Sequence, residues 1–275
     1  MNRRQFLKYL LATGGIALVG CYPTVIERTT VLINRYKIPV DNLPIAFHGF
    51  TLAHLTDVHL GFLVSEAFVA ELVQRTNSLQ TDIIVCTGDY VHDRNTTTEI
   101  DKVWPILSKL NARYGVYSVL GNHDHWADTH RSLYWLERSG QNIRHQCKPI
   151  HKDNQKILIG GAGDFWGDEL NIDKAFANSE PTDFRILLSH NPDSVDTDFS
   201  TPLSLVLSGH THGGQVVIPY WGPPRLPVEN KNYSSGLIST PKTQLFISRG
   251  TGWSILPVRF NCYPEIAVLE LCLKG

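Results

Sequence analysis

The sequence predicts an α/β protein, and three observations carry that prediction. The chain has 275 residues, 42% hydrophobic and 19% charged, enough for one large α/β or two-sheet domain and without the bias that marks disorder. Short apolar runs of strand length alternate with stretches whose apolar positions recur at helical spacing. Successive runs end in Asp, Asn or His, at the edge where open α/β sheets place their ligands. The formal charge of −1, with no Lys/Arg cluster beyond the first ten residues, gives no support to nucleic-acid binding. Twelve histidines against one methionine is an unusual balance, although a single His is by default a surface or capping residue.

The N-terminus has an export pattern. Arg3-Arg4-Gln5-Phe6-Leu7-Lys8 precedes an uncharged apolar run, Tyr9 to Val19, that contains Gly14 and Gly15. The run has 11 residues, well short of the roughly 20 that span a bilayer, so residues 1–20 are expected to be a signal peptide rather than a permanent transmembrane helix. The arginine pair resembles a twin-arginine signal. Leu18-Val19-Gly20-Cys21 fits a bacterial lipobox, and equally an ordinary cysteine behind a leader. A lipid on Cys21 would hold the protein at a membrane surface, so the expected location is exported, extracytoplasmic and membrane-associated. The other cysteines, Cys86, Cys147, Cys262 and Cys272, have neither zinc nor disulfide spacing, and Cys86 lies in an apolar run as a buried thiol. Residues 21–49 carry Pro23, Pro39 and Pro44 and read as a spacer running into an edge strand, ahead of a folded domain over 50–275.

Within that domain, Phe50 to Thr56 is a buried strand ending in Asp57-Val58-His59. Residues i and i+2 of an extended chain point the same way, so Asp57 and His59 can grip one ion. Ser65 caps a helix with Phe68, Leu72, Val73 and Leu79 on its apolar face. Asp82 to Thr87 is apolar at its centre, as a strand covered on both faces should be, and runs into Gly88-Asp89. A helix through Ile100, Val103, Trp104, Leu107 and Leu110 should kink or break at Pro105. The strand Val116 to Leu120 opens into a loop, Gly121-Asn122-His123-Asp124, and a further helix is predicted over 128–139, capped by Asp128 and stopped by Gly140. Lys156 to Gly160, Phe184 to Leu188, Ser204 to Ser208, Gln215 to Ile218, Gln244 to Ser248 and Glu265 to Leu273 have strand character. Pro219 to Gly236, with its prolines and aromatics, reads as a rigid loop suited to shaping a pocket rather than filling a core.

Five strand ends thus carry Asp57/His59, Asp89, Asn122/His123, His190 and His210/His212. Singly, each Asp is a turn residue or helix cap and each His a surface residue; together they offer more donors than one metal needs. Two divalent ions, roughly 3.5–4 Å apart and sharing a carboxylate, suit such a set. Mixed N/O donors without thiolate favour Mn, Fe or Zn over copper or calcium.

Asp57-x-His59, Gly88-Asp89, Gly121-Asn122-His123-Asp124, His190 and Gly209-His210-x-His212 together resemble the calcineurin-like metallophosphoesterase superfamily, from about residue 50 to the C-terminus. With the leader, the run Ser189-His190-Asn191-Pro192-Asp193 and the closing Pro264-Glu265-Ile266, the chain is most similar to the bacterial exported or membrane-attached branch. The resemblance implies a four-layer α/β/β/α sandwich of two mixed β-sheets flanked by helices. It implies one metal on Asp57, His59 and His212, a second on Asn122, His190 and His210, and Asp89 bridging. A hydroxide shared by the ions would attack a phosphodiester or pyrophosphate in line, and His123 would protonate the leaving oxygen.

One position departs from the family pattern. Where a carboxylate three residues after Asp89 usually holds the catalytic His, this chain has His92, and Asp93 follows one residue late, so Asp93 is expected to hold His123. Arg249 and Arg259 follow strand-like runs and are expected either to clamp a second phosphate or to pair with acids. The loop from Tyr220 to Tyr233 would accept an apolar group, which at a membrane surface favours a lipid-linked or nucleotide substrate such as a UDP-2,3-diacylglucosamine. The alternatives are a non-catalytic metal-binding scaffold and an extracytoplasmic lipoprotein that binds a partner. The sequence says nothing of oligomeric state.

Overall fold

A computed structural model describes residues 1–274. The chain opens with α1 (Arg3–Cys21), in which the side chains of residues 10–13 and 16–19, and with them most of the apolar run Tyr9 to Val19, lie outside the described set. Among the described residues no helix is long and apolar enough to cross a membrane. There follow β1 (Leu32–Val40), β2 (Thr51–Leu55), α2 (Glu66–Ser78), β3 (Ile83–Cys86), α3 (Thr98–Leu107), β4 (Val116–Ser118) and α4 (Asn122–Arg138). The second half holds β5 (Gln146–Lys152), β6 (Gln155–Gly161), α5 (Ile172–Ala175), β7 (Arg185–Leu188), β8 (Leu205–Ser208), β9 (Gly236–Ser239), β10 (Gln244–Ile247) and β11 (Glu265–Leu273).

Two mixed sheets result. One has the order β1-β11-β2-β3-β4, the other β5-β6-β7-β8-β10-β9. In the first, β2, β3 and β4 run parallel while β11 meets β2 antiparallel; in the second, β6, β7, β8 and β10 run parallel between two antiparallel edges. The period of two along each central strand sorts its side chains. Ile83 and Val85 face the second sheet, whereas Ile84 and Cys86 face the helices. Leu205 and Leu207 likewise point between the sheets, and Val206 points outward. The inter-sheet core includes Leu52, Phe50, Ile159, Ile186 and Phe246, each fully buried. At about 1.5–3 kcal/mol for each such side chain, this layer is a principal source of stability.

Helices α2, α3 and α4 cover the outside of the first sheet through Val69, Leu72, Val103, Trp104 and Leu136. Ser65 caps α2, its Oγ accepting from the Phe68 amide at 3.2 Å, and α3 ends two residues past Pro105. The fourth layer is thin. Among the described residues, those over the second sheet are the single turn α5, the helical turn Pro192–Asp196 and loop residues, so the sandwich is asymmetric.

Four local expectations change. Gly121 to Asp124 is not a loop, because α4 begins at Asn122, and Asp124 in its first turn accepts the Gly121 amide at 2.9 Å. Asp128 is a kink within that helix, with φ −166° and ψ 109°, and its carboxylate caps the second segment at the Arg131 amide. Gln215 to Ile218 forms isolated bridges to Phe260 and Gly222 rather than a strand, because Pro219 stops the ladder. The loop over 219–236 is also partly core, since Leu226, Val228 and Tyr233 are buried against the second sheet.

Candidate active site

All five predicted strand ends converge on one rim, at the C-terminal ends of β2, β3, β4, β7 and β8. Asp57, His59 and His212 bring ligand atoms within 4.8 Å of one another, and so do Asp89, His190 and His210. A third group, His59, Asp89 and His123, joins them through Asp89. Asp89 Oδ2 stands 3.2 Å from His190 Nε2 and 3.5 Å from His59 Nε2, so this carboxylate sits between the two halves.

The backbone pays conformational energy for the convergence. Asp57, His59, Asp89, His210 and His212 all adopt positive φ, between 52° and 68°, at a cost of order 1–3 kcal/mol for each such residue. Packing offsets it. Gly88, at φ +99°, crosses so close to the next strand end that a Cβ would stand 2.2 Å from the Gly121 nitrogen. Asp124 binds the same crossing together, accepting from the amides of Gly121, Asp89 and Tyr90 at 2.9 Å each.

Hydrogen bonds fix which nitrogen each histidine offers. His190 Nδ1–H donates to the Thr87 carbonyl at 2.7 Å and His210 Nε2–H to the Pro227 carbonyl at 2.8 Å. Their remaining nitrogens, His190 Nε2 and His210 Nδ1, then face each other 3.2 Å apart. His59 Nε2 and His212 Nε2 face each other at 3.0 Å, and the buried Asn122 Oδ1 has no partner. Ring nitrogens confronted in a buried space, beside an orphaned amide oxygen and shared carboxylates, form a donor set that a divalent cation satisfies. The residues therefore fit metal.

Charge points the same way. Burial, reinforced by the Asp89 charge, raises Asp57 to about 6 and Asp124 to about 7. Burial works against charge on His190, yet Asp89, Asp57 and Asp164 together push it up to about 10. Burial and His190 push His210 down to about 3. Without a cation the cluster must hold a proton to balance its carboxylates.

A cavity of about 570 Å³ opens over the cluster, lined by Asp89, Asn122, His123, His210 and His212 on its floor and by Arg94, Trp126, Trp166 and Arg225 on its walls. His123 is half-buried there. Its Nδ1–H donates to the main-chain carbonyl of His92 at 2.8 Å, which leaves Nε2 free, and its ring packs edge-on to His59 with centroids 4.6 Å apart. The expectation that Asp93 holds His123 is thereby corrected, because the carboxylate is exposed on the cavity wall and a peptide carbonyl takes the role.

Neither Arg249 nor Arg259 reaches the cavity. Arg259 is fully buried, donating to the carbonyls of Arg249, Gly250, Gly252 and Cys262 and to His212, so it braces the loop that carries His212. Arg249 Nε lies 3.9 Å from the buried carboxylate of Glu265. The basic groups at the mouth are Arg94 and Arg225 instead, with the Arg94 guanidinium 4.0 Å above the Trp126 ring. Asp164 was also unforeseen, although Gly163-Asp164 follows β6 as Gly88-Asp89 follows β3. Its Oδ2 accepts the amides of Trp166 and Gly167 at 2.9 and 2.6 Å, and Trp166 packs edge-on to His210 with centroids 4.5 Å apart.

The calcineurin-like phosphoesterase family profile matches residues 50–214. The chain is 32% identical to the uncharacterised metallophosphoesterase YkuE of Bacillus subtilis, with 98% of each covered. It is 30% identical to the phosphodiesterase YaeI of Escherichia coli, over 98% of this chain and 99% of that one. Against the UDP-2,3-diacylglucosamine pyrophosphatase LpxG of Chlamydia muridarum the identity is 28%, with 82% and 84% covered.

Proposed function

The chain belongs to the calcineurin-like phosphoesterase family and is a metallophosphoesterase, and from that premise we propose that it cleaves a phosphodiester or pyrophosphate with two divalent cations. The observation that carries this reading is the pair of confronted nitrogens, His190 Nε2 and His210 Nδ1, whose outward N–H groups are already committed to carbonyls. In this reading Asp57, His59 and His212 would hold one cation and Asn122, His190 and His210 the other, with Asp89 available to either. Mn, Fe or Zn would suit these donors. When bound, such ions make water nucleophilic near neutral pH and neutralise charge growing on phosphoryl oxygens.

The protein's own groups do the rest. His123, anchored through Nδ1–H, presents Nε2 to the cavity, where as imidazolium it gives its proton to the leaving oxygen. The first amides of α4 favour negative charge and hold Asp89 and Asp124 in place, the His123 amide donating to Asp89 Oδ1 at 2.8 Å and the Gly121 amide to Asp124 Oδ2 at 2.9 Å. Arg94 and Arg225 offer planar donors to a second phosphate, and Trp126 with Trp166 wall off the leaving-group side. A lipid-linked or nucleotide substrate, of the kind named for LpxG, matches these walls. The leader-like N-terminus supports an exported, membrane-associated enzyme, lipid-anchored if Cys21 is modified.

The test is hydrolysis of bis-p-nitrophenyl phosphate and of p-nitrophenyl phosphate, with Mn²⁺, Zn²⁺ or chelator. The diester should be cut faster, only with metal, and Asp89→Asn should lose at least about 10²-fold. No hydrolysis of either ester with any metal would overturn the proposal.

A further inference from the structure

Four chain segments beside the cavity mouth are stitched into one face. The Phe62 carbonyl accepts from Trp253 Nε1 at 3.2 Å, and Gln215 Nε2 donates to the Ser254 carbonyl at 2.9 Å. The Val217 amide donates to the Phe260 carbonyl at 2.9 Å, and the Arg259 amide to the Pro23 carbonyl at 3.0 Å. Cys262 N–H donates to Glu27 Oε1 at 2.6 Å, and the hydroxyls of Tyr22 and Tyr263 meet. Residues 22–26, directly after Cys21 and α1, are thus held against the loops that form the cavity mouth, where Ser254, Ile255, Gln215 and Arg225 line the wall.

This face exposes large apolar side chains. Tyr220 and Trp221, at the tip of the Ile218–Gly222 turn, are 105% and 88% exposed, and Ile255 and Leu256 are 71% and 61% exposed. Leu63 and Phe260 extend the patch. The segments 22–26, 60–65, 214–225 and 253–263 contain no Asp or Glu, Arg225 lies among them, and Glu27, next in the chain after 22–26, is buried on the Cys262 amide. Isolated apolar side chains on a surface need no explanation, but a contiguous set without carboxylates does.

We propose that this face docks on a phospholipid bilayer, with Leu63, Tyr220, Trp221, Ile255, Leu256 and Phe260 entering the interfacial layer, so that the cavity opens onto the membrane. A fluid layer closes around projecting rings without needing a matching pit, and Tyr and Trp are the residue types that sit at its polar boundary. The absence of carboxylates from these four segments suits an anionic lipid surface, with Asp93 set apart on the cavity wall. Whether attachment runs through α1 or through a lipid on Cys21, it joins the fold at this same face. Resting on the hydrolase reading, the inference adds that the substrates are phosphoesters whose acyl portion stays in the bilayer.

The test reconstitutes the full chain with vesicles of phosphatidylcholine and phosphatidylglycerol, plain or with brominated acyl chains. Brominated lipid should quench the tryptophan fluorescence, and Trp221→Phe should remove most of the quenched part. Trp221→Ser/Leu256→Ser should leave hydrolysis of soluble bis-p-nitrophenyl phosphate unchanged while lowering hydrolysis of a diacyl-linked phosphodiester in the vesicles by about tenfold or more. Equal quenching in wild type and Trp221→Phe would overturn the inference, since the quenched tryptophan would then lie elsewhere, and so would no quenching in either, since the N-terminal segment has no tryptophan and contact there alone would go unseen. A dimer in sedimentation that the double variant abolishes, without bromolipid quenching, would overturn it too and assign the face to a second copy. Absence of soluble-ester hydrolysis would sink the hydrolase reading, and quenching would still decide the docking.

Discussion

His190 and His210 each commit one ring nitrogen to a main-chain carbonyl, and what remains is a pair of ring nitrogens turned on one point beside Asp89, which a proton or a cation can satisfy. These identities were legible in the sequence because chemistry-bearing side chains stand out at the ends of apolar runs. The support of His123 was not legible, since a peptide carbonyl such as that of His92 is the same in every residue and only its position selects it. Arg259 was misread for a related reason: nothing in a sequence separates a guanidinium that meets solvent from one buried among carbonyls. His123→Ala should lower kcat by roughly 10²–10⁴-fold on an ester with an alkoxide leaving group, and far less on a p-nitrophenyl ester that needs no proton. Asp93→Asn should change either rate little. Steady-state kinetics on both esters checks this, and an equal loss on both from His123→Ala would show that the residue is not the proton donor.

At the level of elements, the apolar runs identified the central strands, and period-two sorting assigned their faces. The start of α4 was missed because Asn122, His123 and Asp124 have side chains usual in loops and caps, while the amides that Asp124 satisfies include those of Asp89 and Tyr90, more than thirty residues away. Strand β2 carries a buried residue with a pH signature. His54, with Nε2 2.8 Å from Thr87 Oγ1, is pushed down to about 3 by burial and by the nearby His190. A depressed histidine pKa means that its contribution to stability is fully present above the ordinary value of 6.5 and is lost as pH falls toward about 3. The metal-free chain should therefore melt at lower temperature as pH drops from 6.5 to about 4, and His54→Asn should flatten that slope. Thermal unfolding in chelator at a series of pH values decides it; identical slopes would remove His54 as a cause.

On the scale of the whole molecule, two sheets stacked face to face bring the ends of β2, β3 and β4 against those of β7 and β8. Their buried carboxylates and histidines are unbalanced without a cation, so Mn²⁺ or Zn²⁺ should stabilise the chelator-treated chain by about 2.7 kcal/mol at a hundredfold excess over Kd. For a chain of this size that is a melting-temperature rise of several degrees, which Asp89→Asn should reduce. If no divalent metal shifts the melting curve, the cluster holds none. The sequence by itself determined the α/β class, the order of the central strands along the chain and the ligand-type residues at their ends, because periodicity and side-chain chemistry are local. Only the tertiary structure decided which nitrogen each histidine offers, that a peptide carbonyl holds His123, that Arg94 and Arg225 rather than Arg249 and Arg259 face the cavity, and that the N-terminal segment joins the fold beside its mouth. Each of those depends on backbone groups and burial contributed by residues distant in the chain, which no local pattern encodes.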